Sequence, residues 1–287
     1  MSLPHSRVRL LIACPDTRGI TAAVTGFIAE HGGNLLDLDQ HTDAEHGEFH
    51  LRAEFEPADG DADREGIESA FAPLAERYGM TWRSAWSDQP RHVAIMVGTE
   101  PHCLLDILWR TRAGELPCEI PLIISNHNTL EPIARNSGIP FHHLPIDEKD
   151  ATAQEERIAE LVDTAEIDLI VLARYMRILS EAFVLPRTER IINVHHSFLP
   201  AFPGSDPYRQ AYERGVKVLG ATAHYVTPTL DDGPIIAQAV SPISHRDAIA
   251  DLKLRGRDLE RSVLSIAVKA HLEDRILVQN RRTVVFR

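Results

Sequence analysis

From His92 onward the chain alternates short apolar runs with segments of helical period, and this alternation constrains the fold more than any other feature. The runs are "HVAIMVG", "EIPLIIS", "IPFHHLP", "IDLIVLA" and "RIINV", with helices expected between them near 102–112, 129–136, 151–164 and 176–184. A strand wetted on one face alternates apolar and polar residues, whereas "LIVLA" has no polar position at all. Such a strand is covered on both faces, and helices between successive strands make a parallel, doubly wound sheet. "VKVLGATAHYV" and "GPIIAQAVSPI" follow as longer strands. A helix from about Asp247 to Leu272 and a short "TVVF" edge complete an α/β domain over residues 92–287.

Upstream the pattern differs. "RVRLLIACP" (7–15) reads as a strand. A helix follows, capped by Asp16 or Thr17, with Ile20, Ala23, Val24, Phe27 and Ile28 at helical spacing and Gly32-Gly33 as its left-handed exit. "NLLDLDQHT" and "EFHLRAEFE" are strands joined by the turn "DAEHG", and Glu48, His50 and Arg52 alternate as though on a wet face. A second helix is expected from about Asp63 to Tyr78, with Ile67, Phe71, Leu74 and Tyr78 on one stripe, and "TWRSAW" closes the unit. The order βαββαβ is that of a ferredoxin-like domain, residues 6–86, joined by the polar linker "SDQPR" (87–91). A length of 287 residues fits two such unequal domains.

Composition narrows the partners. With 42 acidic and 30 basic residues the formal charge is −12. Nucleic-acid binding depends on neutralising phosphates with Lys and Arg, and no basic tail or stripe offsets this balance, so no nucleic-acid partner is expected. No apolar run approaches the ~18–20 residues of a membrane span. The first residues hold too short an apolar run for a signal peptide. The three cysteines, Cys14, Cys103 and Cys118, are widely spaced and form no CxxC, which fits the reducing cytoplasm.

In an open α/β sheet, ligands collect beyond the carboxyl ends of the strands. "IINVHHSFLPAF" runs through such an end, with Asn193, His195, His196 and Ser197 directly after two isoleucines. "ARYMRIL" (173–179) follows a neighbouring run, and "TPTLDDGPII" carries Asp231 and Asp232 on a loop after "ATAHYV". Three loops thus bring amide, imidazole and carboxylate toward one cleft. These groups suit attack by water on an acyl or formyl carbon. An amide's tetrahedral intermediate needs oxyanion donors, each worth about 10²–10³ in rate, and a placed proton shuttle adds about 10²–10⁴. Asn193 fits a neutral donor, His195 a shuttle or cationic donor, and Asp231 an orienter of water and imidazole. Singly, each also fits a structural role, since strand-end histidines are commonly satisfied by neighbours and Asp-Asp-Gly-Pro suits a turn. The combination is what favours chemistry.

Metal binding is the other reading of "HH", and "HTDAEHGEFH" adds His41, His46 and His50. No HExxH, HxH with a carboxylate, or cysteine cluster has zinc spacing, so no metal is expected. "FHHLP" (141–145) reads as a strand exit. Ser197 has no GxSxG context, and Cys103, beside His102 at a helix start, more commonly belongs to a core than to a nucleophile.

The segment "NVHHSFLPAFPGSDPYRQAYERGVKVLGATAHYVTPTLDDGPII" resembles the folate-dependent formyltransferase fold, with its Asn-x-His and Leu-Asp-x-Gly motifs. The resemblance implies a catalytic trio at Asn193, His195 and the first aspartate of "LDDGP", Asp231. "ARYMRIL" is similar to the loop that lines the family's pteridine pocket, implying folate contacts at Met176, Arg177 and Leu179, with His196, His224 and Asp232 nearby. The N-terminal unit looks like an ACT domain, an amino-acid-sensing module. It implies an effector corner at Asp16, Gly19, Ile20 and Asn34, and a homodimer or homotetramer. This order of domains resembles the formyltetrahydrofolate deformylase family, which implies 10-formyltetrahydrofolate as substrate, formate and tetrahydrofolate as products, and no separate cofactor.

Two local features separate hydrolase from transferase. A glycinamide ribonucleotide transformylase must hold a phosphate, usually on a Gly-rich loop opening the first helix. Here "VGTEPHCLLDIL" has a proline and Glu100 in that place, which would repel an anion. The family's transferases commonly carry "HPS", whereas this chain has "HHS", with His196 placed to hold or shield water. Asp206 departs from the family pattern on a loop expected near the anionic folate tail. If that loop guides the tail, Asp206 either weakens the contact or shifts it to another group, for which Arg209, or Arg255 and Arg257, are the candidates.

Overall fold

The computed structural model describes residues 6–58, 64–146, 151–200 and 207–287. The chain divides into two compact units. One takes in residues through Pro90 together with Asp274–Gln279 and Thr283–Arg287; the other takes in Arg91–Glu273 and Asn280–Arg282.

The first unit contains β1 (Val8–Pro15), α1 (Ile20–Glu30), β2 (Asn34–Asp43), β3 (Glu48–Glu56), α2 (Arg64–Tyr78) and β4 (Thr81–Trp86). Its sheet is antiparallel in the order β2-β3-β1-β4, the arrangement that βαββαβ connectivity demands. The expected helix start at Asp63 lies outside the described residues. α1 opens at Gly19 (φ 92) with no side-chain cap, so neither Asp16 nor Thr17 takes the capping role expected of it. Ile20, Val24, Phe27 and Ile28 are buried on the inner stripe of α1. Phe71 of α2 is fully buried, with its ring edge-on to Phe27 at 5.1 Å and to Trp82 at 4.8 Å. Truncating such a residue leaves a cavity between helix and sheet. Phe71→Ala is expected to destabilise this unit by about 3–5 kcal/mol; urea unfolding measures it, and a loss below about 1 kcal/mol contradicts this packing account.

The second unit runs through β5 (Arg91–Val97), α3 (His102–Arg112), β6 (Cys118–Ser125), α4 (Glu131–Asn136), β7 (Phe141–His143), α5 (Ala151–Thr164) and β8 (Leu169–Ala173). It continues with α6 (Glu181–Val184), β9 (Ile191–His195), α7 (Pro207–Arg214), β10 (Val218–Tyr225), β11 (Ile235–Pro242) and α8 (Ile249–Leu272). Sheet order is β11-β10-β9-β8-β5-β6-β7, parallel from β5 to β9 and antiparallel for β10 and β11. The fold is therefore the doubly wound, mostly parallel sheet that the alternation predicts. The chain moves outward through β6 and β7, then returns to the other side of β5 with β8, so the switch point lies between β5 and β8. That is where an open sheet leaves a crevice for ligands.

Two expectations for this unit need correction. The helix predicted over 176–184 forms only as α6. Arg174 (φ 63) and Met176 (φ 58) adopt left-handed backbone, which a helix cannot include, and Ser180 caps the shortened helix by accepting from Phe183 N–H. α7 was not anticipated; its opening proline and its Tyr208–Ala211 spacing are the signals that mark it.

The terminal "TVVF" edge is half of a ribbon, β12 (Ile276–Gln279) with β13 (Arg282–Val285), paired with each other alone. Contacts group most of this ribbon with the first unit, whereas the sequence boundaries assign it to residues 92–287. It also overturns the expected wet face of β3, because His50, Arg52 and Glu54 are all buried. Arg52 donates to Glu54 at 2.6 Å, to Asp37 at 2.8 Å and to the Asp274 carbonyl at 3.0 Å. Arg83 donates to the Asp274 carboxylate at 2.7 Å. The alternation of Glu48, His50 and Arg52 is thus real, but a paired ionic layer lies over the face they share.

Candidate active site

β9 and β10 set the geometry. Asn193 and His195 are two residues apart on β9 and so share a face. Antiparallel pairing puts His224 opposite Asn193 and Thr222 opposite His195. The Asn193 amide nitrogen stands 3.3 Å from His224 Nε2. His224 Nδ1 lies 2.8 Å from the Tyr225 carbonyl and must be the protonated nitrogen. His224 Nε2 therefore accepts, and Asn193 donates one of its two amide protons, leaving the other available. Burial lowers the pKa of His224, keeping it in this neutral tautomer.

The turn after β10 delivers Asp231 in left-handed backbone (φ 53). Its carboxylate lies 3.2 Å from His195 Nδ1 and 3.7 Å from His224 Nε2. The hydrogen bond from His195 outweighs partial burial and holds the Asp231 carboxyl below the usual carboxylate range. With Nδ1–H committed to Asp231, the opposite nitrogen Nε2 is the acceptor. That atom is buried and has no hydrogen-bond partner among the described residues.

A cavity of about 240 Å³ opens beside this group. Asn193, His195, His196, His224 and Asp231 line it together with Met176, Arg177 and Leu179 from the loop after β8. Its rim is apolar and open, with Met176, Ile178 and Leu230 each more than half exposed. Among the sequence candidates, Asp232 does not join: its carboxylate pairs with Arg281, and it does not line the cavity. Asp206 lies outside the described residues. Arg255 pairs with Asp247 and Arg257 with Glu100, and neither lines the cavity.

His196 is 8% exposed, and its ring centre stands 5.1 Å from that of His195 and 6.1 Å from that of Tyr208. Burial first, then the Arg174 guanidinium and His195, push its pKa down to about 4, so it is neutral at physiological pH. A group of polar residues that sequence reasoning missed lies beside it. Glu260 of α8 is fully buried and accepts from Tyr208 at 2.5 Å and from His102 at 2.7 Å, with the Arg174 guanidinium 3.6 Å away. Burial opposes its charge, but His102, Arg174 and Tyr208 together hold its carboxyl below the ordinary range. Gly256, one turn before it, makes room: a Cβ there would fall 2.2 Å from the Tyr208 hydroxyl. A signal was present, because Leu252, Gly256, Glu260, Val263 and Ala267 form the buried stripe of α8. A glutamate and a glycine within such a stripe mark a buried polar partner. His102, Cys103 and Glu260 also approach metal-ligand spacing, but Glu260 is already engaged by two donors and a guanidinium.

The effector corner does not assemble within the chain. Asp16, Gly19 and Ile20 follow the end of β1 that pairs with Glu48. Asn34 pairs with Glu56, at the far end of the same sheet. Eight strand steps separate these ends, Glu48 to Glu56, roughly 26 Å. Ile20 is also 2% exposed and faces the core.

The formyl transferase family model matches residues 91–268 and the ACT domain model residues 8–65. A formyltetrahydrofolate deformylase from a Synechocystis species is 52% identical over 277 residues, spanning 96% of this chain and 97% of that protein. The Bacillus subtilis deformylase is 47% identical, spanning 97% and 93%. This chain belongs to the formyltetrahydrofolate deformylase family. A crystal structure of a deformylase from Pseudomonas syringae superposes with a TM-score of 0.95 at 44% identity, covering 100% of this chain and 96% of that one. The glycinamide ribonucleotide transformylase 1 of Symbiobacterium toebii gives 0.65 at 33% identity and covers only 70% of this chain. Deformylases therefore match both units, whereas that transformylase matches about the length of the formyl-transfer unit.

Proposed function

We propose that this chain hydrolyses 10-formyltetrahydrofolate to formate and tetrahydrofolate, with water as the formyl acceptor. The observation that carries this reading is the Asn193–His195–Asp231 cluster at the cavity wall, in a chain of the deformylase family. Asn193 retains an amide proton for the formyl oxygen as that oxygen gains charge. His195, oriented through Nδ1 by Asp231, presents Nε2 to take a proton from water and return it to the departing nitrogen. Ionised Asp231 stabilises the imidazolium that forms in between. His196, neutral, holds or shields the water. The pteridine occupies the apolar mouth beside Met176, Arg177 and Leu179, with His196 and His224 deeper.

Residues 92–287 are read as the catalytic part and 6–86 as a regulatory and assembly part. In this reading an amino acid binds the ACT unit of an assembled homodimer or homotetramer, and the partner copy completes the corner that one chain leaves open. The chemistry calls for no resident metal or organic cofactor, because folate is the substrate. Among the described residues no helix is long and apolar enough to cross a membrane. Glu100, paired with Arg257 at 2.9 Å at the opening of α3, favours hydrolysis over transfer to a phosphorylated amine. The test is formate release from 10-formyltetrahydrofolate with no added amine. Steady release is expected, and turnover that appears only with an amine acceptor would overturn the reading.

A further inference from the structure

Arg174 sits at the switch point of the second sheet, immediately after β8, and lines the cavity between the folate loop and His196. The backbone there is fixed by a close approach: a Cβ on Gly98 would fall 2.3 Å from the Arg174 carbonyl, and Arg174 itself is left-handed. Only glycine at position 98 allows this path. The side chain is 15% exposed, yet its Nε and Nη1 are buried without a hydrogen-bond partner among the described residues. Glu260, the one carboxylate it meets among the described residues, stands 3.6 Å away, and its two oxygens already accept from His102 and Tyr208. Glu260 therefore supplies charge that keeps the guanidinium in place without using up its donors. Buried arginine donors left unmade are costly, and a planar guanidinium matches a carboxylate with two parallel hydrogen bonds.

The hydrolysis creates such a carboxylate. Water oxygen bonds to the formyl carbon, the bond from carbon to nitrogen breaks with its electron pair on nitrogen, and nitrogen takes one proton. The remaining formic acid gives up the other proton, so a neutral amide has become an anion inside a site that already holds Asp231. From this we infer that Arg174 is the binding group for the one-carbon carboxylate product, formate. Of the two arginines lining the cavity, Arg177 is exposed, whereas Arg174 is half-buried and near enough to His196 for its charge to lower that imidazole's pKa. The inference rests on the hydrolytic reading above.

It is tested by calorimetric titration of sodium formate into the ligand-free, full-length protein at constant ionic strength. The wild type is expected to bind formate, and Arg174→Gln to weaken binding at least about tenfold. Because that variant leaves Glu260 buried without its counter-charge, the pair Arg174→Gln with Glu260→Gln is made as well. The double variant should melt near the wild-type temperature and still fail to bind formate. Unchanged formate binding in either folded variant, no binding by the wild type, or equal competition by chloride would each overturn the assignment. The titration involves no turnover: a failure of formate release counts against the hydrolytic reading, whereas these isotherms decide the role of Arg174.

Discussion

Asp231→Asn is expected to lower kcat for formate release by about 10³–10⁴ while the protein folds normally. The carboxylate lies 3.2 Å from His195 Nδ1, and its charge does two things an amide cannot. It fixes the tautomer that leaves Nε2 free to accept a proton, and it stabilises the imidazolium during transfer. An asparagine of the same shape can instead turn its amide nitrogen toward Nδ1, which moves the proton to Nε2 and blocks that nitrogen as a base. Folding should survive, because the position keeps its turn conformation and Asn tolerates left-handed backbone well. Circular dichroism melting provides the control. A variant retaining more than about a tenth of wild-type kcat would remove Asp231 from the proposed machinery.

His195→Gln is expected to be nearly as severe, lowering kcat by about 10²–10⁴. Glutamine keeps polar atoms in the pocket but cannot take and return a proton near neutral pH. The informative measurement is the double variant. If His195 and Asp231 act as one unit, changing both costs little more than changing the more damaging one alone. Multiplying losses would mean that the two residues work independently, and the contact between Nδ1 and Oδ2 would then be structural only.

Much of this arrangement was legible because it depends on period and on strand ends. Unbroken apolar runs predicted the doubly wound sheet, and β9 ends on Asn193 and His195 as its sequence suggests. That Asn193 stands across from His224, and that Asp231 reaches both histidines, follows from strand register and a left-handed turn. Neither is set by local spacing. Arg174 escaped notice for a similar reason: residues 176–184 read as helix, and only the tertiary crowding at Gly98 shows why the loop stays open. Asp232 looked equivalent to Asp231, but adjacent residues in a turn point in different directions, and one of them meets Arg281. Burial of His50, Arg52 and Glu54 was unreadable from β3 itself, since the residues that pair over them lie more than two hundred positions away in sequence.

That ionic layer also bears on the order in which the protein can be made. The sheet of β1 to β4 emerges from the ribosome before the second unit, yet Asp274, which takes hydrogen bonds from Arg52 and Arg83, is translated only after the Arg91–Glu273 body of that unit. Until then a row of charged side chains on β3 and its neighbours stays in water, where it is at home. An apolar face left open for that long would invite aggregation. Placing arginine and glutamate, rather than leucine and valine, beneath a late-arriving segment lets the first domain wait for its own last piece.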